Sequence, residues 1–551
     1  MAKSKRPAFK VIKAVGRCSN WLHEGRRVHG LILKVRTAHE PKRFFIRYSE
    51  LGHPQRLWDT LLDVGCELPV ASLERKRLLD ALQRNRPKRQ YRAVDRLGWH
   101  HDQYVLPSGK VLGKGKGLRL LYQPAFTSTD RRPMTAGTVA EWTRHVAKPA
   151  RHSSTMIFSI SLAFAAPLIR EHDKTRGGIF HLNSLESGAG KTLCQEVAQS
   201  VMRPPEPLPH WDFTATASEE LAAEHTDSLM TLDEIARLAS TPADQAVKAE
   251  AASFRLAGGV ARQRSKSYTA ETQTWRIFAL SSGEHRIGNI ASAAGRKRLR
   301  GDIVRMIDVP VVRDKEKGVF DRLPIGMTTA AIAHKLVAGI KANHGLVGRA
   351  FVKKYLAHHA ANRQRLHKLH DMFMSKAEIA ASDGNWEYLF ASGFALAFAA
   401  AMLAHRFGLV GWSEKVILRA IRQIYRDARA DAQSEPERVA ATLARLKKRL
   451  HGKKRLVDIR SGESSLTDRL RKKRSIRYGY IRQHKGRTEY LVRRDALLRW
   501  IGPAIRPSLV IDILRNQGAL KPDGRNLDTA QVSIKGDAKR ARYYRIIAKK
   551  L

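Results

Sequence analysis

The stretch from residue 177 to residue 192 has the residue types of a phosphate-binding loop. A short apolar run leads into a glycine- and serine-rich turn that ends in Gly190, Lys191 and Thr192. In such loops the backbone N–H groups at a helix N-terminus converge on an anion, a lysine reaches the outer phosphates and a hydroxyl binds Mg²⁺. We therefore expect ATP and Mg²⁺ to bind here, although a glycine-rich turn without a ligand has a similar composition.

The loop departs from the usual pattern at one position. Leu185 stands where G-x-x-x-x-G-K-[ST] places its first glycine. We expect Gly188 to supply the backbone freedom that this glycine normally gives. The residues predicted to contact ATP are Ser187, Gly188, Ala189, Gly190, Lys191, Thr192, Cys194 and, from a later strand, Ser281.

A second motif supplies two carboxylates, because an apolar run at residues 228–232 ends in Asp233 and Glu234. A P-loop ATPase needs an aspartate at a strand tip that holds Mg²⁺ through water, and an acid beside it that polarises the attacking water. Buried strands that end in two acids are common, so the motif has weight only beside the phosphate loop. Together they predict an ATP hydrolase. Thr192 and Asp233 are its Mg²⁺ ligands, and Lys191 and Glu234 are catalytic.

Two further segments could complete the site. An apolar run ends in Ser281 and Ser282, where a hydroxyl can reach the γ-phosphate or the attacking water, although a Ser-Gly turn after a core strand is the alternative. The basic cluster at residues 296–305 could supply an arginine to the ATP site of a neighbouring subunit, with Arg305 preferred and Arg298 also a candidate. A solvated face or a DNA contact would explain the cluster equally well.

The composition favours a nucleic-acid partner. Among 551 residues, 101 are Lys or Arg and 51 are Asp or Glu, which gives a formal charge of +50. Such a charge makes a polyanion the expected partner. The cysteines, Cys18, Cys66 and Cys194, lie far apart, which fits a reducing compartment. The apolar segments 158–169 and 389–404 are too short to span a membrane and are predicted to be buried helices. We expect a cytoplasmic, nucleoid-associated protein of a bacterial cell without a membrane role.

Changes of pattern along the chain indicate its organisation. Alternating apolar residues near the N-terminus predict strands, and Trp99 and Tyr104 are expected to pack on each other across a hairpin. An Ala-rich stretch predicts helices, and basic helices and strands with interleaved tyrosines follow it. The predicted regions are an N-terminal α+β accessory domain (1–90), a β-rich linker region (91–135), an α/β ATPase core (136–325), a helical lid (326–433) and a basic, winged-helix-like DNA-binding region (434–551).

An ordered series of motifs resembles the family known as domain of unknown function 927. The series covers roughly residues 95–420, far more of the chain than any single motif. Its members are GWH at 98–100, YVLP at 104–107, GAGKT at 188–192, WDFTAT at 211–216, LDE at 232–234, RLAGGVAR at 255–262, LSSGE at 280–284 and VRMIDVP at 304–310. Proteins of this family resemble the Cch-type replicative helicases of mobile genetic islands, which look like MCM-type AAA+ motors.

The resemblance implies a P-loop AAA+ core that works as a hexameric ring. It also implies that an insertion at residues 255–266 points basic side chains into a central channel that holds a DNA strand, although an exposed basic hairpin would look the same. Interleaved tyrosines raise the expectation of DNA contact in the C-terminal region above that of a solvated basic face. The residues predicted to contact DNA are Arg255, Arg262, Arg264, Lys266, Arg474, Arg477, Arg482, Lys485 and Arg487.

These inferences converge on an ATP-dependent DNA helicase or translocase, a self-loading replicative helicase of a mobile element or phage that binds single-stranded and duplex DNA. The main alternative is an ATP-switched, origin-binding initiator or helicase loader that binds DNA without unwinding it. Such a switch has no need of a catalytic base, so Glu234 favours the motor. An RNA-directed motor is a third possibility.

Overall fold

The computed structural model of the chain divides into two compact units, Met1–Ala428 and Arg429–Leu551. Each unit has its own apolar core, and each is described by itself below. The residues that the structure describes are 12–21, 27–36, 41–63, 65–66, 68, 71–85, 87–115, 118–123, 133–173, 175–262, 273–312, 314–379, 386–432, 435–452, 456–460, 478–501, 507–521, 529–532 and 541–550.

The first unit begins with a mixed sheet and short helices. Strands β1 (Ile12–Trp21), β2 (Arg27–Val35) and β3 (Lys42–Arg47) pair in antiparallel fashion. The alternating Leu31, Leu33 and Val35 are fully buried on one face of β2, and Ile32 is fully buried on the other. Helices α1 (Tyr48–Leu51), α2 (Pro54–Asp63) and α3 (Ser72–Arg84) follow. Strand β4 (Gln90–Val94) then pairs in parallel with β1, so this sheet continues across the boundary predicted at residue 90.

A small β-sheet is anchored to the middle of the unit by one buried carboxylate. Its strands are β5 (Gly98–His100), β6 (Gln103–Val105) and β7 (Val111–Leu112), while β8 (Leu118–Tyr122) returns to pair with β4. Trp99 and Tyr104 pair across the hairpin with ring centroids 5.1 Å apart, which confirms that prediction. The Trp99 N–H donates to Asp227 Oδ2 (2.9 Å), and the Tyr104 hydroxyl donates to the Asp227 carbonyl (2.6 Å). Arg276 forms a bidentate pair with the same carboxylate.

The middle of the unit is a parallel sheet. Its strands β9 (Gly178–Asn183), β10 (Ser228–Leu232), β11 (Ile277–Gly283) and β12 (Met306–Pro310) lie in the order β10-β11-β9-β12. The first three are buried along their whole length, as expected of strands covered on both faces. Because the strands are parallel, their C-terminal ends share one edge of the sheet. The prediction of an α/β fold with a parallel sheet and many helices is confirmed.

Helices surround this sheet. They are α4 (Val139–Trp142), α5 (Lys148–Ala150), α6 (Ser154–Ala165), α7 (Lys191–Gln199), α8 (Ala215–Glu224), α9 (Pro242–Gly258), α10 (Ile287–Ala293) and α11 (Arg300–Arg305). Every residue of α6 is buried, so the apolar segment predicted as a core helix is one. A π-helical turn occupies Thr143–Ala147, and 3₁₀ turns occupy Ala166–Glu171 and Ile235–Leu238.

The remainder of the first unit is helical, as the Ala-rich pattern predicts. It contains α12 (Thr329–Ala342), α13 (Leu346–Ala357), α14 (His359–Lys376), α15 (Trp386–Arg406) and α16 (Glu414–Ala432), the last of which reaches into the second unit. Within the described part of the chain, α15 alone is long and apolar enough to cross a membrane, but 83% of its apolar window is buried inside the protein. Phe394 of α15 packs against Phe158 and Phe180, so α15 is a core helix.

The second unit combines helices with a five-stranded sheet. Helix α17 (Glu435–His451) precedes β13 (Val457–Asp458), β14 (Gly479–His484) and β15 (Arg487–Arg493), after which come α18 (Arg494–Ile501), α19 (Pro507–Asn516), β16 (Ala530–Val532) and β17 (Ala541–Ile547), with a 3₁₀ turn at Ala548–Lys550. The strand order is β13-β14-β15-β17-β16. Leu446, Leu497, Val510 and Leu514 are among the buried residues that join the helices to the sheet.

Candidate functional site

The phosphate loop connects β9 to α7, and its shape depends on two glycines. Gly188 has φ of 70°, and Gly190, which caps the N-terminus of α7, has φ of 94°. Residues with a Cβ rarely adopt such angles. A Cβ on Gly190 would also lie 2.8 Å from Val319 Cγ1, so this position has neither the conformation nor the space for a side chain.

Leu185 does not occupy a backbone conformation that needs glycine. Among the described residues of the loop, positive φ falls on Gly188 and Gly190 only, and the Leu185 side chain is 71% exposed. The expectation that Gly188 supplies the backbone freedom therefore agrees with the geometry. What the substitution does to nucleotide affinity stays a prediction to be measured.

Lys191 directs its ammonium group into the loop. Its Nζ donates to the carbonyl oxygens of Ser184 (3.0 Å) and Glu186 (3.4 Å). The neighbouring backbone amides at the start of α7 favour an anion at the same place. Ser187, Gly188 and Thr192 are exposed around this turn, so a ligand can reach them from solvent.

Two strand ends and the start of α7 bring hydroxyl and carboxylate groups together beside the loop. Ser282 at the end of β11 donates its hydroxyl to Asp233 Oδ1 (2.5 Å) and accepts a hydrogen bond from the Glu234 N–H (3.0 Å). The Thr192 hydroxyl donates to the same Asp233 oxygen at 3.5 Å. The residues predicted for Mg²⁺ binding are thus adjacent, and hydroxyl and carboxylate oxygens are the ligands that Mg²⁺ prefers, so the donor set fits that ion.

Glu234 adopts a backbone conformation that is unusual for a residue with a side chain. Its φ of 53° lies in the left-handed region, which for residues other than glycine costs on the order of 1 kcal/mol or more and is concentrated at functional sites. The carboxylate accepts the Ala236 N–H at 3.3 Å, while the hydrogen bond to Ser282 holds the backbone.

Ser281 and Cys194 lie deeper than the solvent-facing part of the site. The Ser281 hydroxyl is fully buried, receives the Trp211 Nε1–H (2.9 Å) and lies 2.9 Å from His181 Nδ1. Cys194 is also fully buried, and burial raises the pKa of its thiol. For His181, in contrast, burial lowers the pKa, because the charged form is the imidazolium and burial removes its hydration. Their predicted contacts with ATP stay untested predictions.

Sequence reasoning missed the residues that hold the strand ends in place. Gln195 Nε2 donates to the Leu232 carbonyl (2.9 Å) and the Leu280 carbonyl (2.8 Å), so one buried amide ties α7 to β10 and β11. Gln195 lies four residues after Lys191 and therefore one helical turn further along α7. This spacing is the feature of the sequence that could have indicated its role. His181 and Trp211 gave no comparable signal, since their contacts with Ser281 join distant parts of the chain.

The arginines predicted to act in a neighbouring subunit contact their own chain. Arg298 is 12% exposed, forms an ion pair with Asp308 (3.0 Å) and donates to the Met306 carbonyl. The Arg305 guanidinium lies over the Phe254 ring, 4.3 Å from its centroid, and donates to the Gly301 carbonyl. A role in trans stays a prediction for both arginines, each of which is partly buried.

The basic insertion begins as an antiparallel ladder. Val260 and Thr274 form a bridge, and Trp275 N–H donates to the Gly259 carbonyl. Arg262 is exposed, whereas the Arg255 side chain is 14% exposed and donates to the Ser218 hydroxyl. Arg264 and Lys266 lie outside the described residues.

The basic residues predicted in the second unit occupy different environments. Lys485 and Arg487 are exposed at the turn between β14 and β15, where Lys485 and Gly486 both have positive φ, as a tight hairpin requires. Arg482 is instead paired with the buried Glu489 at 2.8 Å. Arg474 and Arg477 lie outside the described residues.

The comparison with protein families agrees with the motifs. Residues 22–275 match the model of the family described as domain of unknown function (DUF927). The family resemblance is confirmed. The match begins earlier and ends earlier than the series of motifs, which extends over roughly residues 95–420. No curated protein matches the chain.

A solved structure described as "SCCmec type IV Cch - active helicase" has a TM-score of 0.56 at 17% identity, over 98% of this chain and 93% of that chain. At this identity the likeness shows the fold alone. The C-terminal region of NrS-1 matches at a TM-score of 0.26 and 10% identity, over 76% and 92% of the two chains. The structure of NtrX from Brucella abortus in complex with ATP matches with a TM-score of 0.19 and 15% identity, over 59% of this chain and 65% of that chain. The last two scores are too low to carry an argument.

Proposed function

We propose that this chain is an ATP-dependent DNA helicase of the AAA+ class that works as a hexameric ring. The observation that carries the proposal is the group of polar side chains at two adjacent parallel strand ends and at the start of α7, next to a loop whose lysine and glycines suit a phosphate. Ser282 bonds to both Asp233 and Glu234, and Thr192 lies within 3.5 Å of Asp233. This arrangement suits ATP hydrolysis better than nucleotide binding alone.

Each residue has a role that follows from its position. The loop amides and Lys191 bind the β- and γ-phosphates. Thr192 and Asp233 would hold Mg²⁺, which when bound neutralises charge on the transferred phosphoryl group. Glu234 orients the attacking water and accepts its proton at a carboxylate oxygen.

Ser282 links Asp233 to Glu234 through its hydroxyl group. Its hydroxyl has one proton, which it donates to Asp233, and its lone pair receives the Glu234 N–H. The Asp233 carboxylate and the Glu234 backbone therefore cannot move independently. An arginine from the 296–305 cluster of a neighbouring subunit would stabilise the charge that develops on the γ-phosphate.

DNA as the partner is supported by charge and by fold. The chain has a formal charge of +50, and the fold resembles that of a protein described as an active helicase. We propose that the insertion carrying the exposed Arg262 grips one strand, that residues 326–433 form a lid over the nucleotide, and that residues 434–551 form a winged-helix-like DNA-binding region. A hairpin between β14 and β15 with Lys485 and Arg487 at its turn is consistent with a wing.

The direct test is strand displacement by the wild type and by Glu234→Gln. The substrates are labelled duplexes with a 5′ or a 3′ single-stranded overhang, and the exposed Glu220→Gln on α8 is the matched control. We expect the wild type and the control to displace the strand with ATP. Glu234→Gln should bind ATP and DNA but hydrolyse ATP at least about 100-fold more slowly, because general-base catalysis is lost.

Hydrolysis without displacement on either overhang would overturn the helicase and favour the ATP-switched initiator or loader. Full hydrolysis by Glu234→Gln would overturn the assignment of the catalytic base. Stronger stimulation of hydrolysis by single-stranded RNA than by DNA would show that the motor acts on RNA.

A further inference from the structure

We infer that an arginine-lined groove in the second unit binds the phosphate backbone of DNA, an inference that rests on the proposed function and assigns part of its DNA contact to a specific site. The groove lies where β15 ends and α18 begins, beside the start of β17, and has a volume of about 380 Å³. Its lining consists of Arg493, Arg494, Asp495, Leu498 and Arg542.

The fold brings these arginines together from separate parts of the sequence. Arg493 is the last residue of β15 and pairs with Tyr543 of β17, and Arg542 directly precedes Tyr543, so both arginines lie at the same end of these neighbouring strands. Both side chains line the same groove at that end. Arg494 follows at the first position of α18. All three arginines are exposed.

The charges in the groove are only partly compensated. Asp495 is the sole acid among the described lining residues, and its carboxylate is shared by Arg493 (3.5 Å) and by Arg499 (3.1 Å) outside the lining. Arg542 donates to the hydroxyl and the carbonyl of Thr529, which are neutral, so these bonds orient the guanidinium and leave its charge available. Three positive charges against one negative charge favour an anion, and guanidinium groups match phosphate oxygens geometrically.

Other arginines on the same sheet are already neutralised. Arg482 (2.8 Å) and Arg545 (3.1 Å) both pair with Glu489, which is 3% exposed. Burial alone would disfavour the charged carboxylate, but the hydrogen bonds from the two arginines outweigh it and lower the pKa of Glu489. These arginines hold β14, β15 and β17 together, and the groove is therefore the better phosphate site than the Arg482 face.

The lining also indicates which part of the DNA the groove contacts. Among the residues that the structure describes, the lining contains no aromatic ring, and Tyr543 is buried, with 1% of its surface exposed. These lining residues offer arginine contacts to phosphate, so we expect the contact to be with the backbone and independent of base sequence.

Fluorescence anisotropy with full-length protein tests this inference. Labelled single-stranded and duplex oligonucleotides of two unrelated sequences are titrated with the wild type, with Arg493→Ala/Arg494→Ala and with Lys549→Ala/Lys550→Ala. The lysines are exposed in the same unit, so the control removes an equal charge away from the groove lining. We expect the arginine variant to raise Kd about tenfold for all four oligonucleotides and to reduce the slope of log Kd against log salt by about 1–2.

Two companion variants separate loss of charge from loss of structure. Arg493→Lys/Arg494→Lys should bind nearly as well as the wild type, because a lysine still neutralises a phosphate. Arg494→Glu, which leaves both ion pairs of Asp495 in place, should weaken binding at least as much as the double alanine variant. ATP hydrolysis without DNA should be unchanged in all of them.

The outcomes distinguish the groove from the wider proposal. Suppose that the wild type binds DNA and the arginine variant binds it no more weakly than the lysine control does. That result would contradict the inference that the groove binds DNA, but it would leave the proposed function standing. If the wild type fails to bind any of the four oligonucleotides, the proposed DNA motor is overturned together with the groove.

Discussion

At the residue scale, neighbouring serines at the end of β11 have different environments. Ser282 faces Asp233 and Glu234, whereas Ser281 is buried between His181 and Trp211. The alternation of side chains along a strand explains the difference, because successive residues point to opposite faces. Both serines could be identified from the sequence as polar residues at a strand tip. Their division of roles could not, because it depends on contacts with residues far along the chain.

Ser282→Ala tests whether this hydroxyl serves catalysis. Loss of a hydrogen bond to a charged group costs about 1.5–3 kcal/mol, so we expect kcat for ATP to fall about 10- to 100-fold. Nucleotide affinity should change little, because the loop and Lys191 are untouched. Steady-state hydrolysis and nucleotide titration measure the two quantities. Ser281→Ala is the matched control, and we expect it to lower thermal stability more than kcat. Equal effects of both changes on kcat would contradict the role given to Ser282.

At the scale of secondary-structure elements, the strand order assembles the site. Each strand of the parallel sheet is a short apolar run followed by polar residues, and this pattern was visible in the sequence. The order β10-β11-β9-β12 places β11 between the phosphate loop and the two acids. Sequence could not give this order, nor the docking of the β5–β6 hairpin, because Trp99 and Asp227 are 128 positions apart. The GWH motif of the family therefore has a structural explanation, since a Cβ on Gly98 would lie 2.6 Å from Asp227 Oδ2.

Asp227→Asn tests this anchor. Asp227 is fully buried with φ of 56°, and asparagine tolerates that conformation, so the change removes charge without adding backbone strain. We expect a destabilisation of about 2 kcal/mol, because the bidentate Arg276 pair and the Trp99 N–H lose an ionised acceptor. Thermal unfolding followed by fluorescence measures it. The exposed Asp212→Asn should change stability by less than about 0.5 kcal/mol. Equal stability of the two variants would argue against an anchor.

At the scale of the whole molecule, the charge was accessible from sequence, and the order of the predicted domains stays a prediction. The two units divide after Ala428, five residues before the predicted boundary at 433, and the basic composition does not depend on the fold. What composition could not show is which basic residues are available. Arg482 is bound to Glu489, and Arg255 contacts Ser218, so pairing inside the protein removes some candidates from the surface.

The salt dependence of DNA binding follows from the charge of the molecule. Each neutralised phosphate releases counterions, so affinity should fall at least about tenfold between roughly 50 and 200 mM salt. Anisotropy titrations of the wild type at several salt concentrations measure this slope. A flat response would contradict phosphate contact as the main source of affinity.

The most direct test of the central claim is the rate of ATP hydrolysis with and without single-stranded DNA, for the wild type and for Lys191→Ala. Lys191 lies inside the phosphate loop, bonded to Ser184 and Glu186, so its removal should abolish hydrolysis under both conditions. We predict that DNA stimulates the wild type severalfold and leaves the variant inactive. A wild-type rate that DNA does not change, or a variant as active as the wild type, would contradict a DNA motor powered at this loop.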